Sequence, residues 1–103
     1  MGVPFVDLKA QYASIQTEID SAISEVIAET AFIGGRRIDA FEAAFAEAIG
    51  AEHCIGVGNG TDAIYIVLKM LGVGPGDEVI TVANSWISTS ETITQTGARP
   101  VFV

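Results

Sequence analysis

A glycine-rich segment in the middle of the chain carries residue types that bind anions. Residues 54–62 read CIGVGNGTD, which predicts a short apolar strand, a tight turn and then a helix beginning near Thr61. The first turn of a helix has unpaired N–H groups and a partial positive charge, which together suit a phosphate. Gly60 lets the backbone approach a ligand, and Thr61 adds a hydroxyl. We therefore expect the turn around Gly60, Thr61 and Asp62 to form a binding site for an anion.

A large aromatic side chain, Trp86, follows the next predicted strand, which covers residues 78–82. In a parallel sheet the carboxyl ends of the strands lie along one edge, where ligands bind. We therefore expect the glycine turn and the indole to lie side by side. Because an indole offers a broad face for stacking, the pair suits a ligand with a phosphate at one end and a planar ring at the other.

Each of these features also has a purely structural interpretation. The glycines can serve the turn alone, and Asp62 can be a favourable charge at a helix start. Trp86 can be a core residue. The serines and threonines after Trp86 are first of all residues that begin a helix.

Helices and strands alternate in the part of the chain that positions these residues. Helices are predicted over residues 10–29, 39–49, 61–71 and 88–96, and strands over 53–57, 78–82 and 101–103. Capping-box patterns mark two of the helix starts, at Asp39 with Glu42 and at Ser88 with Glu91. Phe41, Phe45 and Ile49 are expected to be buried.

The predicted fold class is α/β, with an incomplete parallel sheet preceded by two helices. Residues 1–50 form the helical lead-in and residues 51–103 a βαβαβ segment. Because three strands leave open edges, we expect the chain to be the front part of a larger protein, or to pair its edges with other chains.

Composition excludes several classes of function. The net charge of −8 argues against nucleic acid and anionic membranes, both of which need clustered Lys and Arg. The single cysteine permits neither an intramolecular disulfide nor a cysteine-based zinc site, and no cluster of metal ligands is visible. Because neither a signal segment nor a membrane-spanning run is evident, a cytoplasmic location is expected.

Four segments resemble, in order and spacing, the DegT-type nucleotide-sugar aminotransferases: NGTDA at 59–63, VGPGDEVI at 73–80, SWIST at 85–89 and GARPV at 97–101. The lead-in PFVDL at 4–8 is similar to that family's N-terminus. The family consists of fold type I enzymes that use pyridoxal 5′-phosphate (PLP). The resemblance implies that Gly60, Thr61 and Asp62 hold the phosphate of PLP and that Trp86 stacks on its pyridine ring.

The resemblance also implies a reaction and partners. Family members transfer an amino group from an amino acid, usually glutamate, to a keto sugar carried on a nucleotide, and they act as homodimers. Their Schiff-base lysine, and the acidic residue that pairs with the pyridine nitrogen, lie downstream of the matched segments. No catalytic residue is therefore assigned here, and these 103 residues are expected to be the N-terminal part of such an enzyme and inactive alone.

Two alternative functions remain open at this point. The pattern Gly58-x-Gly60-x-x-Ala63 matches the fingerprint of a Rossmann-type dinucleotide-binding domain. Against that interpretation, the second strand ends without the acidic residue that holds the ribose, and two helices precede the first strand. The other alternative is a non-catalytic oligomerisation module built on the first helix.

Overall fold

The computed structural model describes residues 2–3 and 5–103, and it divides into two compact units, Met1–Cys54 and Ile55–Val103. The described residues form four helices and two strands: α1 Leu8–Glu29, α2 Arg36–Ile49, α3 Gly60–Met70, β1 Glu78–Thr81, α4 Ser88–Thr96 and β2 Arg99–Phe102. The expected α/β class is confirmed by a small parallel sheet, although three helices precede its first strand and not the two that the sequence predicts.

In the first unit, α1 is a long and solvent-exposed helix. Asp7 caps its start, because the Oδ1 atom of Asp7 accepts a hydrogen bond from the Ala10 amide at 2.9 Å. The helix is kinked at Ile15, where φ is −127° and ψ is 16°. It ends at Thr30 in a left-handed conformation. None of the described residues of α1 is buried.

Helix α2 begins earlier than the sequence predicts. The amides of Ile38 and Asp39 both donate to the Gly35 carbonyl, so the first turn starts at Arg36, directly after Gly35. The predicted capping box at Asp39 is therefore wrong, and Asp39 lies within the first turn. The predicted end is confirmed, because Gly50 closes the helix in a left-handed conformation.

The apolar stripe of α2 is exposed, contrary to the prediction. The rings of Phe41 and Phe45 stack on each other with centroids 5.6 Å apart, yet both residues remain exposed, as does Ile49. Ala46 is the buried residue of this helix. Phe41 and Phe45 thus contact each other along the helix while part of each ring stays in solvent.

In the second unit, α4 packs against α3 and against both strands. Strands β1 and β2 are parallel, and the register pairs Glu78 with Arg99 at one end. These two side chains also form an ion pair. Thr92 and Ile93 of α4 are almost fully buried, so α4 supplies the centre of this unit's core.

The predicted strand over residues 53–57 is wrong. These residues lie outside the sheet, which contains only β1 and β2 within the described part of the chain. A strand depends on a hydrogen-bonded ladder with a neighbour, so an apolar run is insufficient by itself. The turn before β1 is confirmed: Gly76 has φ 97°, and the Asp77 amide donates to the Gly74 carbonyl at 3.1 Å.

Candidate functional site

The side chain of Asn59 caps the start of α3. Its Oδ1 atom accepts a hydrogen bond from the Asp62 amide at 2.9 Å, and its Nδ2 atom donates to Asp62 Oδ2 at 2.9 Å. Asn59 is therefore the N-cap residue, a position that favours Asn because its short side chain reaches the third amide of the helix. The carboxylate of Asp62 is held over the turn, beside Gly58.

The two amides that precede Asp62 stay available. Within the described residues, the N–H groups of Gly60 and Thr61 have no hydrogen-bond acceptor. A Cβ atom placed on Gly60 would meet no atom within 4 Å. The helix start thus presents two donors beside open space, at the end of the helix dipole that attracts anions.

The hydroxyl of Thr61 contacts a second helix. Its Oγ1 atom is 2.7 Å from the Oγ atom of Ser88, the first residue of α4. Ser88 is buried, with a relative exposure of 6%. The contact joins the beginnings of two helices that are 27 residues apart in sequence.

Trp86 lies two residues before α4 and is 78% exposed. Its carbonyl accepts a hydrogen bond from the Thr89 amide at 3.0 Å, and the hydroxyls of Ser85 and Thr89 are 3.0 Å apart. One backbone bond and one side-chain contact therefore connect this segment to the first turn of α4. The ring itself is open to solvent and free to stack on a ligand.

The observed link between the two predicted segments of the site is the contact of Thr61 in α3 with Ser88 in α4, because the first of the two strands expected to position them is not formed. Gly60, Thr61 and Asp62 form the first turn of α3. The predicted capping box at Ser88 is wrong, because Ile87 occupies the N-cap position without a side-chain bond and the Ser88 hydroxyl contacts Thr61 instead.

Two residues of the site, Asn59 and Ser88, were not assigned to it from the sequence. Asn59 could have been found, because Asn followed three residues later by Asp at a glycine turn is typical of a helix cap. Ser88 could not be assigned to the site in this way, since its contact with Thr61 depends on how two helices pack.

The groups in these two segments are those that a phosphorylated ring compound binds. Within the described residues, two amides without an acceptor and one hydroxyl are the kind of donors that a phosphate requires, and the exposed indole supplies a stacking surface. Among the described residues, no group of three or more His, Cys, Asp or Glu side chains is placed to hold a metal ion. None of the helices in the described ranges is long and apolar enough to cross a membrane.

The sequence of the chain is similar to those of known aminotransferases. The sequence pattern of the DegT/DnrJ/EryC1/StrS aminotransferase family matches residues 13–103. The chain is 45% identical over 101 residues to the UDP-2-acetamido-2-deoxy-3-oxo-D-glucuronate aminotransferase of Pseudomonas aeruginosa, an alignment that covers 98% of this chain and 28% of that protein.

Two solved structures share the fold. DesV of S. venezuelae, crystallised with a ketimine intermediate, superposes with a TM-score of 0.91 at 42% identity, over 98% of this chain and 27% of that one. NtdA of Bacillus subtilis, with bound cofactor PMP, superposes with a TM-score of 0.88 at 32% identity, over 98% of this chain and 23% of that one. The chain thus spans between 23% and 28% of the length of these three relatives.

Proposed function

The chain belongs to the DegT/DnrJ/EryC1/StrS aminotransferase family, and we propose that it is the N-terminal part of a PLP-dependent nucleotide-sugar aminotransferase. In this proposal the residues belong to the enzyme's large domain, with 1–50 as the helical lead-in and 51–103 as the segment that carries the cofactor site. The complete enzyme transfers an amino group from glutamate to a keto sugar linked to a nucleotide. It acts as a cytoplasmic homodimer.

The observation that carries the proposal is the pair of amides at Gly60 and Thr61, which find no acceptor in the described part of the chain and lie beside the Thr61 hydroxyl. These donors would hold the cofactor phosphate, whose negative charge also suits the start of a helix. The carboxylate of Asp62 is bonded to Asn59. Asp62 would therefore lie at the edge of this anion site and stabilise the first turn of α3.

Trp86 would stack on the pyridine ring, because its indole is exposed and lies on the segment that leads into α4. The phosphate contacts would fix one end of the cofactor and the indole would fix the plane of its ring. PLP, when bound, supplies the electron sink that amino-group transfer requires. The residues described here would bind and orient it, and the lysine that attaches it would come from outside these residues.

The substrate class follows from the family. The Pseudomonas aeruginosa relative is named for a UDP-linked oxo sugar, which supports a nucleotide-linked keto sugar as the amino acceptor. Glutamate as the amino donor and the homodimer are what the family resemblance implies.

Two assays on the full-length protein test the proposal. Isothermal titration should give tighter binding of pyridoxamine 5′-phosphate than of pyridoxamine, because only the former carries the phosphate. Incubation with PLP, glutamate and a UDP-linked 3-keto sugar should release 2-oxoglutarate. Binding of NADH without binding of pyridoxamine 5′-phosphate would favour the dinucleotide alternative, and binding of neither would favour an oligomerisation module.

A further inference from the structure

The hydroxyls of Thr61 and Ser88 form a pair in which only one proton can lie between the oxygens. Their oxygens are 2.7 Å apart, and either can be the donor. Each hydroxyl has one proton and can accept further hydrogen bonds. The choice of donor therefore decides whether Thr61 presents a proton or a lone pair to its surroundings.

We propose that Ser88 is a positioning residue that donates its proton to Thr61, so that the Thr61 proton is directed to the cofactor phosphate. This inference rests on the proposed function of Thr61. A phosphate oxygen accepts hydrogen bonds, so it selects the arrangement in which Thr61 donates outward and Ser88 donates to Thr61. The two bonds then run in the same direction, and such chains strengthen each other.

Ser88 is held firmly enough for this role. Its carbonyl accepts a hydrogen bond from Thr92 Oγ1 at 2.8 Å, and Thr92 is fully buried. Within the described residues, Thr61 is the hydrogen-bond partner of the Ser88 hydroxyl. Because Ser88 is buried, water does not replace that partner, and Thr61 Oγ1 is the acceptor for the Ser88 proton.

The same segment of chain also carries Trp86, two residues before Ser88. A residue that contacts the cofactor ring and a residue that orients the phosphate donor are thus joined by a short stretch of backbone. Ser88 would touch neither the ring nor the phosphate, and would act on binding only through Thr61.

The test compares pyridoxamine 5′-phosphate with pyridoxamine in titrations of the full-length protein. Ser88→Ala removes the donor to Thr61 and should weaken binding of the phosphorylated ligand about 2- to 10-fold, with the affinity for pyridoxamine unchanged. Ser88→Cys, which retains a weak donor, should give a smaller loss. Equal losses for both ligands, or no loss for either, would overturn the role of Ser88.

Thr96→Val is the matched control, because it removes another buried hydroxyl from α4, one that donates to the Ile93 carbonyl and bonds to neither Thr61 nor Ser88. It should leave the ratio of the two affinities unchanged, and a change as large as that of Ser88→Ala would contradict the proposal. In a Thr61→Val background, Ser88→Ala should cause no further loss of affinity. A further loss would show that Ser88 does not act through Thr61.

The outcomes separate this inference from the function on which it rests. If Thr61→Val weakens binding of pyridoxamine 5′-phosphate and Ser88→Ala does not, Thr61 binds the phosphate without help from Ser88 and only the inference fails. If Thr61→Val has no effect on the phosphorylated ligand, the proposed phosphate site fails, and the inference fails with it.

Discussion

Asn59 bonds to Asp62 at two points, through its Oδ1 atom to the amide and through its Nδ2 atom to the carboxylate, both at 2.9 Å. One side chain thus caps α3 and fixes the charged group nearest to the helix start. The arrangement leaves the amides of Gly60 and Thr61 unpaired within the described residues. The geometry of the proposed phosphate site therefore depends on Asn59, although Asn59 is not expected to contact the ligand.

Two substitutions of Asn59 should distinguish its effect on helix stability from the effect of local charge on ligand binding. Asn59→Ala removes the cap and should lower the free energy of unfolding by about 1 kcal/mol. Asn59→Asp keeps a cap acceptor but places a second carboxylate beside Asp62, so it should weaken binding of pyridoxamine 5′-phosphate, and less so at high salt. Thermal unfolding and titration at two salt concentrations measure these effects. An Asn59→Asp variant that binds the phosphorylated ligand as tightly as the wild type would contradict this assignment.

Two glycines of the turn should respond in opposite ways to alanine. A Cβ atom at Gly58 would lie 2.8 Å from Asp62 Oδ2, so Gly58→Ala should displace that carboxylate and cost about 0.5–1.5 kcal/mol of stability. Gly60 has open space around the added Cβ atom, and Gly60→Ala should leave stability unchanged or raise it by up to about 1 kcal/mol.

Gly60→Ala should nevertheless weaken ligand binding, although it should not destabilise the fold. The methyl group of Gly60→Ala would project where we place the phosphate, so this variant should lose affinity for pyridoxamine 5′-phosphate despite its intact fold. Denaturant unfolding together with titration tests both statements. A Gly60→Ala variant with normal affinity would mean that the backbone at residue 60 does not face the ligand.

Trp86 should matter for binding and little for folding. Because the side chain is 78% exposed, Trp86→Ala should change the free energy of unfolding by no more than about 0.5 kcal/mol. The same change should weaken binding of pyridoxamine 5′-phosphate by about 1 kcal/mol, and Trp86→Phe should restore most of the affinity. Unchanged affinity in Trp86→Ala would reject the stacking role.

Tyr12 of α1 should titrate above its ordinary range. Its hydroxyl donates to Asp20 Oδ1 at 2.7 Å, and this hydrogen bond to a carboxylate is the main reason that the pKa of Tyr12 is raised. The contribution to stability is present below the ordinary tyrosine pKa of about 10 and is lost as pH rises through the higher pKa of the folded state. Asp20→Ala should lower the Tyr12 pKa in an NMR titration, and an unchanged value would exclude that bond in solution.

The sequence predicts the second unit well wherever the signals are local. The end of α4 at Gly97, the turn at Gly76 and the extent of α4 all agree with the structure, because each depends on neighbouring residues. The strand over residues 53–57 fails, since it depends on pairing with a partner. Burial of Phe41 and Phe45 fails for a similar reason, because periodicity identifies an apolar face without saying what covers it.

The candidate site shows the same division between local and distant information. Asn59 and Asp62 are three residues apart, and their contact follows from the ordinary geometry of a helix start. The contact between Thr61 and Ser88 spans 27 residues and depends on the packing of α3 against α4. Sequence patterns alone assigned Ser88 to a capping box, because that is the commonest local use of serine before Glu91.

The measurement that tests the central claim most directly is the affinity of full-length Thr61→Val for pyridoxamine 5′-phosphate and for pyridoxamine. The substitution removes one hydroxyl from the proposed phosphate site and keeps the size of the side chain. We expect binding of the phosphorylated ligand to weaken by about 1–2 kcal/mol and binding of pyridoxamine to stay the same. Equal affinities of Thr61→Val and the wild type for pyridoxamine 5′-phosphate would contradict the claim that the start of α3 holds the cofactor phosphate.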